Sequence, residues 1–211
     1  LQIFCVIKHC CRALQRWRAG ARPVSLGTVL RALGDALDGA EIPWMVAGSV
    51  ASSTWGEVLS TQDIDVVVVA TRSSLVRLCQ ALPAERWYAD LDMAIEAAKR
   101  RSMFNVIDLE TGWKVDLIFR KGRAFSRAEF DRRRRATVDG VEVWIAAPED
   151  VLLAKLEWSK AAGSERQLRD AAGIVAVQRD ALDGEWLRHW AKELDVEAEL
   201  ASVWPPAGRD P

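Results

Sequence analysis

The run DIDVVVV at residues 63–69 is a β-branched strand that opens on two aspartates one residue apart. Side chains two residues apart on a strand share a face, so Asp63 and Asp65 stand side by side while Ile64 and Val66 point the other way. Two carboxylates about 6 to 7 Å apart along a strand repel one another unless a cation neutralises them. Hard carboxylate oxygens suit Mg²⁺, which takes one or two protein carboxylates and completes its shell with water and substrate phosphates.

A third acid lies in KVDLIF, where Asp116 again interrupts an apolar strand. If residues 110–113 turn the hairpin that MFNVIDLETGWKVDLIFR predicts, Asp116 pairs across from Ile107 and Asp108 faces Val115 on the opposite side of the ribbon. On that reading Asp116 joins Asp63 and Asp65 at one sheet edge, and Asp108 is a solvated surface acid. Taken alone, Asp116 is equally a surface carboxylate on an edge strand. Gly48 and Ser49 close the short apolar run before the DxD. Glycine lets backbone approach a ligand, and a helix beginning at Ser49 offers unpaired N–H groups and a positive dipole end to phosphate. The same pair is also an ordinary helix start.

Around these residues the chain alternates strand and helix patterns. Ser25 is placed to cap a helix that runs to about Asp38 and ends at Gly39. WMVA is a strand after Pro43, and helical pattern resumes from Ser49 to about Leu59. Ser73 or Ser74 caps another helix, and a further one covers about Leu91 to Arg100. SRAEFDRRRR reads as a short helix capped by Ser126, and ATVDGVEVWI as a second hairpin turning at Asp139-Gly140. After Pro148 come three helical patterns, PEDVLLAKLEWSKAAG, SERQLRDAAGIVAVQ and DGEWLRHWAKELDV. The expected architecture is α/β or α+β: a mixed sheet with helices, then a helical C-terminal lobe. In domain terms, residues 24–147 form the core and 148–211 the lobe.

Lys155 stands out by periodicity, because Leu152, Lys155, Leu156 and Ser159 share one stripe of a helix. An ammonium on a mainly apolar face needs an anionic partner or must snorkel to water. A phosphate oxygen or one of the site carboxylates would serve. Arg166, Arg169 and the run Arg132–Arg135 read as solvated helical charges, the run alternatively as a grip on RNA phosphates.

Composition sets the outer bounds. Half of the 211 residues are hydrophobic and 28% are charged, which suits a folded globular chain. No apolar stretch approaches the roughly 18 residues of a membrane span. The net charge of −1 hides an asymmetry: residues 1–23 carry Lys8, Arg12, Arg16, Arg18 and Arg22 without an acid, leaving −6 for the rest. That segment begins without Met and has no clean amphipathic period, so it is expected to be an extension that is poorly ordered or non-native, with the chain proper starting near Val24. Three of the four cysteines fall within it, none in a CxxC pair, which argues against a zinc site or disulfide framework and for a reducing cytoplasm. Ten tryptophans are spread along the chain, as packing residues are, and not clustered as a base-stacking platform requires.

Taken together, AGSVASSTWGEVLSTQDIDVV resembles the signature of the nucleotidyltransferase superfamily related to DNA polymerase β. That signature is a hydrophobic residue, Gly, Gly or Ser, about a dozen residues, and Asp-hydrophobic-Asp-hydrophobic. Thirteen residues separate Ser49 from Asp63 here. FNVIDLETGWKVDLIF, PEDVLLAKLEWS and SERQLRDAAGIV extend the likeness over about residues 40–195, toward a small bacterial branch of minimal nucleotidyltransferases and abortive-infection or type IV toxin enzymes.

The resemblance implies transfer of a nucleoside monophosphate from an NTP to an acceptor, releasing pyrophosphate, with two Mg²⁺ ions. Gly48 and Ser49 would hold the triphosphate, Asp63 and Asp65 would ligate the metal, and Asp116, also a metal ligand, would help activate the attacking hydroxyl. Lys155 and Asp170 match a functional lysine and aspartate of the toxin-like members. The acceptor is left open between tRNA, a protein side chain and a small molecule such as an aminoglycoside. The rival class is a nucleotide- or RNA-binding protein on a degenerate fold, such as one half of a toxin–antitoxin pair. Either way Asp116 must lie beside Asp65.

Overall fold

A computed structural model describes residues 25–58, 61 and 63–205; the extension expected at 1–23 lies outside them. The described chain is a mixed α/β structure whose seven strands, β1 (Trp44–Val46), β2 (Asp63–Val68), β3 (Trp87–Ala89), β4 (Met103–Asp108), β5 (Lys114–Phe119), β6 (Arg134–Val138) and β7 (Val141–Ile145), form one sheet in the order β3-β4-β5-β2-β1-β7-β6. By its internal packing it divides into two compact units.

The first unit comprises residues 25–45, 63–121 and 135–143 of the described chain and carries nearly all of the sheet. Helix α1 (Leu26–Gly39) buries Val29, Leu30, Leu33 and Leu37, the apolar stripe legible in the sequence. Ser25 stands at its N-cap, but its hydroxyl pairs with that of Thr28 and caps no helix N–H. Gly39 is its last residue, but the left-handed turn beyond falls to Glu41, at φ 56°. Strand β1 (Trp44–Val46) follows. In β2 (Asp63–Val68) Ile64, Val66 and Val68 are buried while Asp63, Asp65 and Val67 face outward. Each buried aliphatic is worth roughly 2 kcal/mol, so the alternation pins the face on which the aspartates stand.

Helix α3 (Arg72–Ala81), which follows α2 (Gly48–Trp55) of the second unit in chain order, is capped by Thr71 and not by Ser73 or Ser74. The Thr71 hydroxyl accepts from the Ser74 N–H, and the Ser74 hydroxyl accepts from the Thr71 N–H. Strand β3 (Trp87–Ala89), too short to have drawn notice in the sequence, precedes α4 (Leu91–Arg100). Next comes the hairpin of β4 (Met103–Asp108) and β5 (Lys114–Phe119). β5 also pairs with β2 in parallel, and β3 with β4 antiparallel.

The hairpin register differs from expectation by two residues: Asn105, not Ile107, is opposite Asp116, and Ile107 is opposite Lys114. The turn begins one residue earlier because Asp108 organises it. Its N–H donates to Trp113 O at 3.0 Å, its carbonyl accepts from the Gly112 N–H at 2.7 Å, and its carboxylate accepts from the Glu110 N–H. A shift of two leaves every side chain on the face first assigned. The reading of Asp108 as a solvated acid is overturned. It is wholly buried opposite Trp87, with Arg86 Nη2 at 2.9 Å, and a buried carboxylate needs such a partner.

The β6 (Arg134–Val138) and β7 (Val141–Ile145) hairpin turns at Asp139-Gly140, both at positive φ, 46° and 74°, as a two-residue I′ turn requires. Asp139 also accepts the Gly27 N–H at 2.6 Å, tying this turn to the start of α1.

The second unit comprises residues 46–58 and 61, 122–134 and 144–205 of the described chain. It holds α2 (Gly48–Trp55), α5 (Ala124–Asp131), α6 (Pro148–Ala162), α7 (Glu165–Gln178), α8 (Gly184–Glu193) and α9 (Glu197–Val203). Arg123, not Ser126, occupies the N-cap position of α5, and Ser126 is buried inside the helix, accepting from Arg123 Nε. Helix α2 stops short of Leu59 because Gly56 lies on the backbone of α7: an added Cβ would be 2.8 Å from the Ile174 nitrogen. The Trp55 indole N–H donates to Ala146 O, and Gln178 donates to Trp55 O.

The arginine run is split: Arg134 and Arg135 are exposed, on β6, whereas Arg132 and Arg133 are half-buried and are not solvated helical charges. Arg132 lies over the Trp186 ring at 3.9 Å and pairs with the buried Glu149, which Arg134 also approaches at 3.6 Å. Arg133 stacks on Phe130 and Trp144. Such planar, desolvated contacts are what arginine supplies and lysine does not. Among the described residues no helix is long and apolar enough to cross a membrane.

Candidate functional site

The parallel pairing of β2 with β5 brings Asp65 and Asp116 together as direct Cα partners, and Asp63 and Lys114 as the next pair along the same face. Asn105 of β4 is the antiparallel partner of Asp116 and joins that face from the other side. Five polar side chains from three neighbouring strands therefore form one block, while the interleaved Ile64, Val66, Val115 and Leu117 are buried. The chemistry is segregated by the period of two alone.

The two oxygens of Asp116 have different partners. Asn105 Nδ2 donates to Oδ1, and Lys114 Nζ lies 3.3 Å from Oδ2. The same ammonium is 3.3 Å from Asp63 Oδ1, so it bridges two acids. Burial would lower the Lys114 pKa, but Asp116 and then Asp63 outweigh it and hold the ammonium above its ordinary value. Exposure is graded across the block: the Asp116 side chain is 10% exposed, Lys114 39% and Asp63 57%. Asp116 is held from both flanks, whereas the bridging ammonium reaches it from the solvent side.

These donors suit a hard divalent cation. All are carboxylate oxygens, at least two are adjacent across strands, and the position between Asp63 and Asp116 already accommodates a positive charge. Among the described residues no three His, Cys, Asp or Glu side chains converge as a ready-made metal cage. For Mg²⁺, which keeps several waters and uses one or two carboxylates, a lined face is sufficient.

The other expected residues belong to the second unit. Gly48 opens α2 in the left-handed region at φ 56°, a conformation that favours glycine, and Ser49 follows in the first turn. Lys155 is buried on its predicted stripe with Leu152, Leu156 and Ser159, and it does not snorkel. Its partner is Asp170, with Nζ 2.8 Å from Oδ2 and both residues almost fully enclosed. This pairing across α6 and α7 joins the two residues that the resemblance had selected separately. Arg169 and Arg166 remain peripheral to it, with Arg169 3.9 Å from Glu165 on the surface.

Asn105 and Lys114 were missed in the sequence. Lys114 carried a usable signal, since it precedes Asp116 by two and must share its face. Asn105 shares the face of Asp116 in either register, but only the observed one sets it directly opposite that acid.

No protein-family model matches the chain, and no curated protein does. Solved structures do. The solution structure of the antibiotic-resistance factor ANT(2'')-Ia aligns with a TM-score of 0.54 at 11% identity, covering 86% of this chain and 96% of that one. The crystal structure of ANT(2'')-Ia in complex with adenylyl-2''-tobramycin gives 0.52 at 14% identity, covering 82% and 98%. A nucleotidyltransferase-like protein from Paracoccidioides brasiliensis aligns at 17% identity over 84% and 91%, with a TM-score of 0.46.

The fold is a nucleotidyltransferase fold. In that nucleotidyltransferase fold, the acids of this chain fall on a single face of β2 and β5. At such low identity the likeness speaks to architecture, and the chemistry must be argued from the side chains.

Proposed function

We propose that the protein is a nucleotidyltransferase that moves a nucleoside monophosphate from an NTP to an acceptor and releases pyrophosphate. The observation that carries this is the registration of Asp65 with Asp116, and of Asp63 on the same face, within this fold. Asp63, Asp65 and Asp116 are the residues that would hold Mg²⁺, two ions in the full reading. Divalent metal supplies charge neutralisation of the phosphates and of the attacking and leaving oxygens.

The chain's own groups divide the remaining work. Asp116, fixed by Asn105 on one oxygen, is oriented to accept a proton from an acceptor hydroxyl. Gly48 and Ser49 are assigned to the triphosphate, because a left-handed glycine at a helix start leaves backbone N–H groups accessible to an anion. Lys155 and Asp170 are assigned to the nucleotide as a unit, Asp170 fixing the ammonium. A small-molecule acceptor is favoured over tRNA or protein by the likeness to a structure that holds adenylyl-2''-tobramycin. Assignment to the toxin-like bacterial branch rests on the sequence resemblance.

The test is transfer of label from each α-labelled NTP, with Mg²⁺, to an aminoglycoside panel, to tRNA and to protein. Asp65→Asn should lower turnover by about 100-fold or more, as loss of a preorganised charge does, with an unchanged near-UV spectrum. Wild-type turnover in that variant would sink the proposal. Metal-independent RNA binding without transfer would instead favour the degenerate binding module.

A further inference from the structure

Lys114 bridges two of the three carboxylates assigned to metal. Its ammonium lies 3.3 Å from Asp63 Oδ1 and 3.3 Å from Asp116 Oδ2, and it reaches both because Asp63 is its cross-strand partner while Asp116 is two residues along its own strand. The other Asp116 oxygen accepts from Asn105. Both oxygens of the most buried of the three acids are therefore already engaged. A lysine is a compact charge on a flexible stem with three donors, and here the stem is more than one-third exposed.

We infer that Lys114 is a built-in counter-cation that competes with divalent metal for Asp63 and Asp116, a positioning residue that sets how weakly the free protein holds metal. This rests on the metal reading of the three acids. A divalent cation binding there must either displace the ammonium or share the carboxylates with it at close range, and either course weakens binding. Asn105, a neutral donor, does not compete and keeps Asp116 oriented while the ammonium is displaced. In the absence of nucleotide Asp63 and Asp116 thus share one ammonium, which offsets part of their charge without metal. Phosphates arriving with the metal offer the displaced ammonium a new anion, so metal uptake becomes coupled to nucleotide uptake.

The probe is Mn²⁺ binding to the nucleotide-free full chain, followed by electron paramagnetic resonance of the free ion, with no turnover involved. Lys114→Met should bind Mn²⁺ more tightly than wild type, on the order of tenfold, since a unit charge a few ångströms away is removed. Lys114→Arg, which keeps the charge, should stay within about twofold of wild type. Asp65→Asn should lose binding, which identifies the site being read. With a non-hydrolysable NTP added, the advantage of Lys114→Met over wild type should shrink or reverse.

The outcomes separate cleanly. Wild-type Mn²⁺ binding that Asp65→Asn abolishes, with Lys114→Met no tighter than wild type, overturns this inference and leaves the metal reading standing. No Mn²⁺ uptake by any form at millimolar metal overturns both. A Lys114→Met chain that fails to fold is answered by Lys114→Gln, for which the same tightening is required.

Discussion

Asp63, Asp65, Lys114 and Asp116 show how little chain is needed to set up a charged face, given two registered strands. The second buried charge system, Lys155 with Asp170, illustrates the opposite economy. Both partners are enclosed and joined at 2.8 Å, so each is indispensable to the other. Removing one leaves an uncompensated buried charge, and Lys155→Met is expected to destabilise the protein by about 3 to 5 kcal/mol, read from its urea midpoint. Lys155→Met combined with Asp170→Leu should recover most of that loss, because a well-packed apolar pair replaces an ion pair at little cost. A double variant no more stable than the single would show that the pair does more than neutralise itself. At this scale the sequence was informative in proportion to periodicity. Asp63, Asp65 and the Lys155 stripe follow from periods of 2 and 3.6. The burial of Asp108 did not, because it depends on Arg86, whose arrival is decided by the pairing of β3 with β4.

Among the elements, the hairpin turned by Asp139-Gly140 was legible because its turn chemistry is local. The hairpin turned near Gly112 was legible as a hairpin but not in register, since the Asp108 bonds set where the turn opens. Helix α9, seven residues long, is too short to show a helical period in the sequence, and the end of α2 is not legible there because a neighbour sets it. Gly56 closes α2 against the backbone of α7, where an added Cβ would be 2.8 Å from the Ile174 nitrogen and 3.0 Å from the Gly173 carbonyl carbon. Backbone cannot swing aside as a side chain can. Gly56→Ala should therefore cost roughly 1 to 3 kcal/mol, whereas Gly39→Ala, with nothing within 4 Å of the new Cβ, should be neutral or stabilising by thermal denaturation. Equal melting temperatures for the two variants would contradict the packing.

For the whole molecule, the response to pH carries the signature of Asp150. It is fully buried at the start of α6, with one oxygen accepting the Trp186 indole N–H at 2.8 Å and the other without a hydrogen-bond partner. Burial pushes its carboxyl up to about 6 from 3.8, against the Trp186 bond and the charge of Arg132 and with some help from Glu149. The protonated form is the one the fold favours. Its stabilising contribution is complete below about pH 4 and is lost as pH rises through about 6. Asp150→Asn, neutral at every pH, should exceed wild type in stability at pH 7 by up to about 3 kcal/mol, and the gap should close by pH 3.5. Urea titrations of both proteins across that range would reveal it, and a constant gap would rule it out.

The parallel pairing of β2 with β5 has a further consequence for how the chain comes into being. Asp65 and Asp116 are 51 residues apart in sequence, and α3, β3, α4 and β4 lie between them. No local event can join them. A parallel pair needs a long crossover, and its closure comes after the hairpins and helices that form from near neighbours. On the ribosome, a nascent chain that has exposed β2 carries only a pair of repelling acids at a raw strand edge. The acidic face comes into existence when β5 emerges and docks, which brings Asp116 and, in the same motion, the Lys114 ammonium that offsets its charge.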